Sequence, residues 1–229
     1  MLRGIALLVG VTGLVGWQRA ATQAAAPGGR VTGRIALLEK GDKPSRDLSS
    51  AVVYLEGSGA PARPVTVEIK INDKGFVPRV VAVPVGSTVR FANHDPFDHN
   101  VFSASEPNQF DLGQYGRGEG KAWTPASPGL VRVFCNIHPR MVAFVLVMAS
   151  RYYAQPAADG TFTLEDVPPG AYKLHVWHER SAEAVQDVTV TPAGAPGIDV
   201  QLDARRFHWV SHKNKYGQDY PTNAGLERY

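Results

Sequence analysis

The sequence predicts an all-β fold, and three observations carry that expectation. Glycine and proline supply 23 and 17 of the 229 residues, and both break helix interiors. Apolar alternation and β-branched runs recur along the chain between turn residues, whereas no long stretch has helical periodicity. Strands and helices do not alternate, so a doubly wound parallel sheet is not expected. Many short strands joined by Gly/Pro turns point to antiparallel sandwiches or barrels.

In chain order, residues 1–26 read as a secretory signal peptide. Arg3 precedes an apolar run from Gly4 to Trp17, and small residues place cleavage near Ala24 to Ala26. That run is too short and too Gly-rich for a span of about 20 apolar residues. We therefore expect a periplasmic or secreted protein with no stable membrane span after cleavage, and no lipid anchor, since no Cys adjoins the cleavage region. Strands are then expected at Val31 to Leu38, Ala51 to Glu56 and Val65 to Ile71. Gly75-Phe76-Val77-Pro78 leads into Val80 to Val83, and Val85-Gly86 turns into Ser87 to Ala92. Asn100 to Ser103 comes next, then Leu130 to Cys135 behind Pro128-Gly129, and the wholly apolar Val142 to Met148. Asp159-Gly160 precedes Thr161 to Leu164, and Pro168-Pro169-Gly170 turns the chain into Ala171 to Trp177. Gln186 to Thr191 and Ile198 to Leu202 complete the set, before a polar tail at 204–229 whose Phe207, Trp209, Tyr216 and Tyr220 are expected to strap onto a sandwich face.

The net charge of +3 arises from 24 Lys+Arg and 21 Asp+Glu. Arg3 and Arg19 lie in the leader, and Arg205, Arg206, Lys213, Lys215 and Arg228 outnumber Asp219 and Glu227 in the tail. The β-rich region between them carries about −2, so the basicity marks no nucleic-acid face. Phosphate-loop, GxSxG and HExxH signatures are also missing.

A single Cys excludes an internal disulfide and any CxxC metal or redox site. Cys135 instead opens the run Cys135-Asn136-Ile137-His138-Pro139-Arg140-Met141, a C-x2-H-x2-M loop directly after a β-branched strand. Thiolate, imidazole and thioether are donors that copper takes, and a trigonal His2Cys set with axial Met needs one more imidazole from a distant segment. His99 supplies it; His94 is the rival on the same turn.

From about Val65 to Met148 these features resemble a cupredoxin of the plastocyanin/amicyanin kind. The resemblance rests on Gly75 to Pro78, Val85 to Phe91 with Asn93 and Asp95, His99-Asn100, Pro128-Gly129-Leu130, and the Cys-His-Met loop with its amicyanin-like His-Pro-x-Met spacing. It implies a Greek-key β-sandwich binding one type 1 (blue) copper through His99, Cys135, His138 and Met141. It also implies that the Asn100 side chain ties the two ligand loops together, and that His138 meets partners beside Pro139, Pro96 and Phe97.

The flanking strands, with their Gly160-x-Phe162-x-Leu164 and Pro169-Gly170-x-Tyr172 patterns, resemble the carboxypeptidase regulatory-like, transthyretin-like sandwich. The expected organisation is therefore a signal peptide at 1–26, a discontinuous second sandwich at 28–59 and 150–203, the cupredoxin at 62–149 between them, and the tail. The second sandwich is expected to act in structure or interaction. His175 and His178 fall on opposite faces of a strand, and His208 with His212 lies where helical signal is weak, so neither pair is expected to bind metal.

The function expected is a non-enzymatic electron carrier between redox partners such as a dehydrogenase or a c-type cytochrome, with no nucleic acid involved. Copper storage, sensing or delivery is the alternative, and a metal-free envelope adhesion module is a third.

Overall fold

The computed structural model describes residues 28–56 and 60–221; the expected signal peptide and the end of the tail lie outside them. The fold is all-β. Among the described residues there are seventeen strands, and no helix is long and apolar enough to cross a membrane. In chain order they are β1 (Gly29–Glu39), β2 (Lys43–Pro44), β3 (Val52–Glu56), β4 (Thr66–Asn72), β5 (Gly75–Val77) and β6 (Val80–Pro84). Next come β7 (Thr88–Asn93), β8 (His99–Ser103), β9 (Phe110–Tyr115), β10 (Gly118–Trp123), β11 (Gly129–Cys135) and β12 (Val142–Met148). The chain closes with β13 (Tyr153–Ala154), β14 (Thr161–Val167), β15 (Gly170–Trp177), β16 (Ala184–Val190) and β17 (Ala195–Asp203).

Four sheets result. The middle of the chain makes β10-β7-β4-β5 and β6-β12-β11-β8-β9, and the flanking segments make β14-β1-β17 and β13-β3-β15-β16. The first pair closes over Ile69, Phe91, Val101, Val133 and Val145. The second pair closes over Ile35, Val53, Leu174 and Leu202. Pairing of β1 with β14 and β17, and of β3 with β13 and β15, thus joins residues 29–56 to 153–203. Where the chain passes between the two sandwiches its outgoing and returning segments lie side by side, Arg151 N–H donating to Ala60 at 3.2 Å and Leu55 N–H to Tyr152 at 2.9 Å.

Strand β12 is why the two sandwiches form one stack. All seven of its side chains are apolar and buried, the composition of a strand covered on both faces. Alternation sends Ala143, Val145 and Val147 into the middle core. The same alternation sends Val142, Phe144, Leu146 and Met148 outward against Val52, Tyr54 and Trp177 of the second sandwich. Arg79 pins the seam: its guanidinium bonds Glu179 through two nitrogens, at 2.7 and 2.8 Å, and the Val142 carbonyl at 3.2 Å.

Five strands carry no alternation in the sequence. Of these, β9 and β10 follow one another as edge strands of two different sheets, β9 against β8 and β10 against β7. Gly113, Gly118 and Gly120 interrupt them, and Gly120 needs its missing Cβ: at a φ of 77° its Cα lies against the Phe91 carbonyl.

His178 follows β15 and is 1% exposed, its ring nitrogens facing Ser50 Oγ at 3.2 Å and the Arg180 N–H at 3.1 Å. Burial first, and then the Arg180 charge, pushes its pKa down to about 4. Because the folded value lies below the ordinary one, the unfolded chain binds the proton more readily. Stability from this site is full above about pH 6.5 and is lost as pH falls through 4, by up to about 3 kcal/mol at 1.36 kcal/mol per unit. Denaturant midpoints measured from pH 7 to 4 will fall in the parent, and will fall less steeply in His178→Gln.

Candidate metal centre

Strand register builds the cluster. Antiparallel β8 and β11 place Cys135 opposite Val101 and Phe134 opposite Phe102, so His99, two residues before Val101, lies diagonally across from Cys135 on the same inward face. β11 and β12 also pair Phe134 with Val142, which compresses 135–141 into a tight return. Within it Met141 N–H donates to the His138 carbonyl at 3.1 Å, and Cys135 N–H to the Met141 carbonyl at 3.3 Å. His138 is thereby folded back over Cys135.

The ligand atoms of His99, Cys135 and His138 lie within 4.8 Å of one another, and all three residues are buried. Cys135 Sγ is 3.7 Å from His99 Nδ1 and 3.6 Å from His138 Nδ1. Such separations are what a metal–sulfur bond of about 2.3 Å and a metal–nitrogen bond of about 2.0 Å subtend when they meet at roughly 110–120°. The donor set therefore fits a first-row metal, and a buried thiolate with two imidazoles is the set that copper takes. Met141 is buried in the same core as Cys135, at the closing end of the loop. His94, by contrast, is exposed and lies outside the cluster.

The surroundings poise each donor. A carboxylate can only accept, so the 2.9 Å contact of His99 Nε2 with Asp95 Oδ2 places the imidazole proton on Nε2 and turns the Nδ1 lone pair towards Sγ. Asp95 is itself held by the N–H groups of Asp73 at 2.7 Å and Lys74 at 3.0 Å. These belong to the β4–β5 turn, where both residues have positive φ, 52° and 54°. Burial pushes the Asp95 carboxyl up, but these N–H groups and His99 outweigh it and hold the carboxyl below its usual range. Burial pushes His99 down, against Asp95, and so keeps it neutral. Burial also pushes the Cys135 thiol up, while N–H groups of Ile137, Asn100 and His138 draw it down. A thiol so placed is inert until a metal displaces its proton.

The Asn100 side chain does not make the expected tie between ligand loops. Its Nδ2 donates to Asp111 at 2.7 Å, because β8 alternation turns it away from Cys135. The backbone makes the tie instead: the Asn100 carbonyl accepts from Asn136 N–H at 2.8 Å, and its N–H approaches the Cys135 sulfur.

Two contributors escaped the sequence reading. Asp95 was visible only as a matching residue, without a role. The other is the tail, whose residues Lys215 and Tyr220 reach the ligand loop. Tyr220 Oη donates to the Cys135 carbonyl at 2.8 Å, Lys215 N–H to Asn136 Oδ1 at 2.9 Å, and Lys215 Nζ to Asp111 at 2.7 Å. The His212 ring stacks on Phe134, with centroids 4.3 Å apart. Among the expected strap aromatics, Trp209 lies over Arg79, whereas Tyr216 is 73% exposed. Of the other histidines, His175 stacks on Tyr54, His178 is buried behind Ser50 and His208 is exposed; none enters the cluster.

A family model described as polysaccharide lyase family 4, domain II, matches residues 142–196, which run from β12 into β17. Among solved structures the chain is similar to a copper-containing nitrite reductase from Thermus scotoductus, at 30% identity over 41% of this chain and 25% of that one, with a TM-score of 0.35. It is also similar to a Cu(I) amicyanin variant, at 20% identity over 36% of this chain and 82% of that one, with a TM-score of 0.34. A reduced amicyanin variant matches at 18% identity over 42% of this chain and 98% of that one, with a TM-score of 0.35. The chain thus spans a quarter of the nitrite reductase it matches. No curated protein matches.

If Asp95 fixes the His99 ring, Asp95→Asn will weaken copper binding by about 10- to 100-fold, the usual cost of removing such a partner. Competition with a chelator of known affinity measures it. An unchanged affinity would show that His99 is oriented by packing alone.

Proposed function

We propose that residues 62–149 form a cupredoxin-type blue-copper unit and that the protein carries single electrons between redox partners. The observation that carries this reading is the pair of imidazole Nδ1 atoms facing one buried thiol at 3.6 and 3.7 Å. His99, Cys135 and His138 would hold the metal, with Met141 as the fourth donor. Copper held there supplies a one-electron Cu(II)/Cu(I) couple.

The chain's own residues suit that task. Cys135, His99 and Met141 are 0, 0 and 1% exposed, so water is kept from the donors. Asp95 and the Asn100 backbone keep the ligand segments in place without help from the metal. His138 is 8% exposed, and Phe97 packs 5.7 Å from its ring centroid. With Pro96 exposed beside Phe97, this edge offers a small apolar contact, the kind that transient redox encounters use. With thiolate, two imidazoles and thioether all committed, no position is reserved for a substrate, which favours a carrier over an enzyme. A dehydrogenase or a c-type cytochrome is the class of partner such a carrier serves.

On this reading residues 1–26 direct export to the periplasm or beyond. Residues 28–59 and 150–203 make a transthyretin-like sandwich of carboxypeptidase regulatory-like type, into which the copper unit is inserted as on a scaffold.

The test is the visible and EPR spectrum of the copper-loaded protein beside that of Cys135→Ser, with voltammetry on the parent. We expect an intense thiolate-to-copper band that Cys135→Ser abolishes, and reversible reduction with one copper retained per chain. Absence of the band would refute the site, and loss of copper on reduction would replace electron carriage by copper delivery.

A further inference from the structure

A cleft of about 660 Å³ opens between the two sandwiches, walled by Tyr54, Trp177, Leu130 and Met148 and edged by Glu56 and Glu183. It lies at the Gly129 end of β11, where Gly129 pairs with Val147. Cys135 ends the same strand about 20 Å away, at roughly 3.3 Å per residue. The cleft is therefore separate from the metal centre.

Its polar groups are organised. Tyr54 Oη donates to Glu183 Oε1 at 2.6 Å. The His175 ring is stacked 4.7 Å from Tyr54 at 15°; its Nε2 bonds Glu56 at 3.0 Å, while its Nδ1 lies 3.5 Å from Glu183 and is buried without a hydrogen-bond partner. Ser181 Oγ, also on the lining, is buried without a hydrogen-bond partner. Among the described residues no lysine or arginine lines the cleft. Lys173 pairs across the strands with Glu56, but its ammonium is bound to Asp187 at 3.0 Å. Burial first, then the hydrogen bond to Glu183, and last the Glu183 and Glu56 charges push the Tyr54 phenol upward.

We propose that this cleft binds an organic cation, an amine or quaternary ammonium group on an apolar body. Two carboxylates against one imidazole leave the edge negative in either protonation state of His175. Aromatic walls attract a cationic head and bury its hydrocarbon. A bare metal ion would leave the apolar walls unused, and an anion would meet the acids. The junction of two units is also where such concave sites occur.

The probe is benzyltrimethylammonium, which has no lone pair and cannot ligate copper, titrated calorimetrically into the full chain with and without copper. Benzyl alcohol and cellobiose serve as neutral controls. We expect saturable one-site binding that is equal in both copper states, weakened by salt, and much weaker for benzyl alcohol and cellobiose. Glu183→Gln and the more exposed Glu56→Gln will each weaken binding about tenfold, through loss of one carboxylate's Coulomb attraction for the ammonium charge, at unchanged thermal midpoints. No saturable binding, equal affinity for either neutral control, or affinity unchanged in both variants would overturn the proposal.

Discussion

The pairing of β11 with β12 is the constraint on which the rest of the structure depends. By setting Phe134 against Val142, it leaves the chain one short excursion between Cys135 and Met141, and His138 has nowhere to go but back over the thiol. The same β12 is the layer that both hydrophobic contacts need, since its odd residues fill the middle core and its even residues fill the seam. Loss of that strand would remove the metal loop, the sandwich and the junction together.

Around that hairpin, charge and backbone polarity are spent on the donors. The β4–β5 turn grips Asp95, Asp95 orients His99, and the Asn100 backbone reaches both Asn136 and the sulfur. The tail closes the other side, where Tyr220 meets the Cys135 carbonyl and Lys215 meets Asp111, the acid that also accepts from Asn100. A segment that leaves the second sandwich after Asp203 thus reaches the ligand loop of the first through Lys215 and Tyr220. That gives the second sandwich a physical connection to the metal centre besides the packed seam.

Much of this was legible in the sequence. All twelve expected strands are strands: alternation is the imprint of one buried face, and the unbroken apolar run at Val142–Met148 marks burial on two. Cys135 and His138 could be chosen from residue type and spacing, whereas His99 was separated from its rival His94 by its resemblance to the cupredoxin pattern of a His directly before Asn-Val. The strands β9 and β10 were illegible because glycine and charge leave no period there. Asn100 was misread in one respect: strand parity, not residue type, decides where its side chain points. Tyr220 and its bond to Cys135 had no local signal at all, since 85 residues separate them. The seam was hidden for the same reason, as Arg79 and Glu179 are 100 residues apart.

The central claim is that the fold, not the metal, sets the ligand positions. Crystal structures of the protein without copper and with Cu(I) and Cu(II) test it most directly. The account predicts that the two Sγ–Nδ1 separations stay near 3.6 and 3.7 Å in all three, with Asp95 on His99 Nε2 throughout. A copper-free structure in which the loop from Cys135 to Met141 swings open, or in which His138 leaves the thiol, would contradict it.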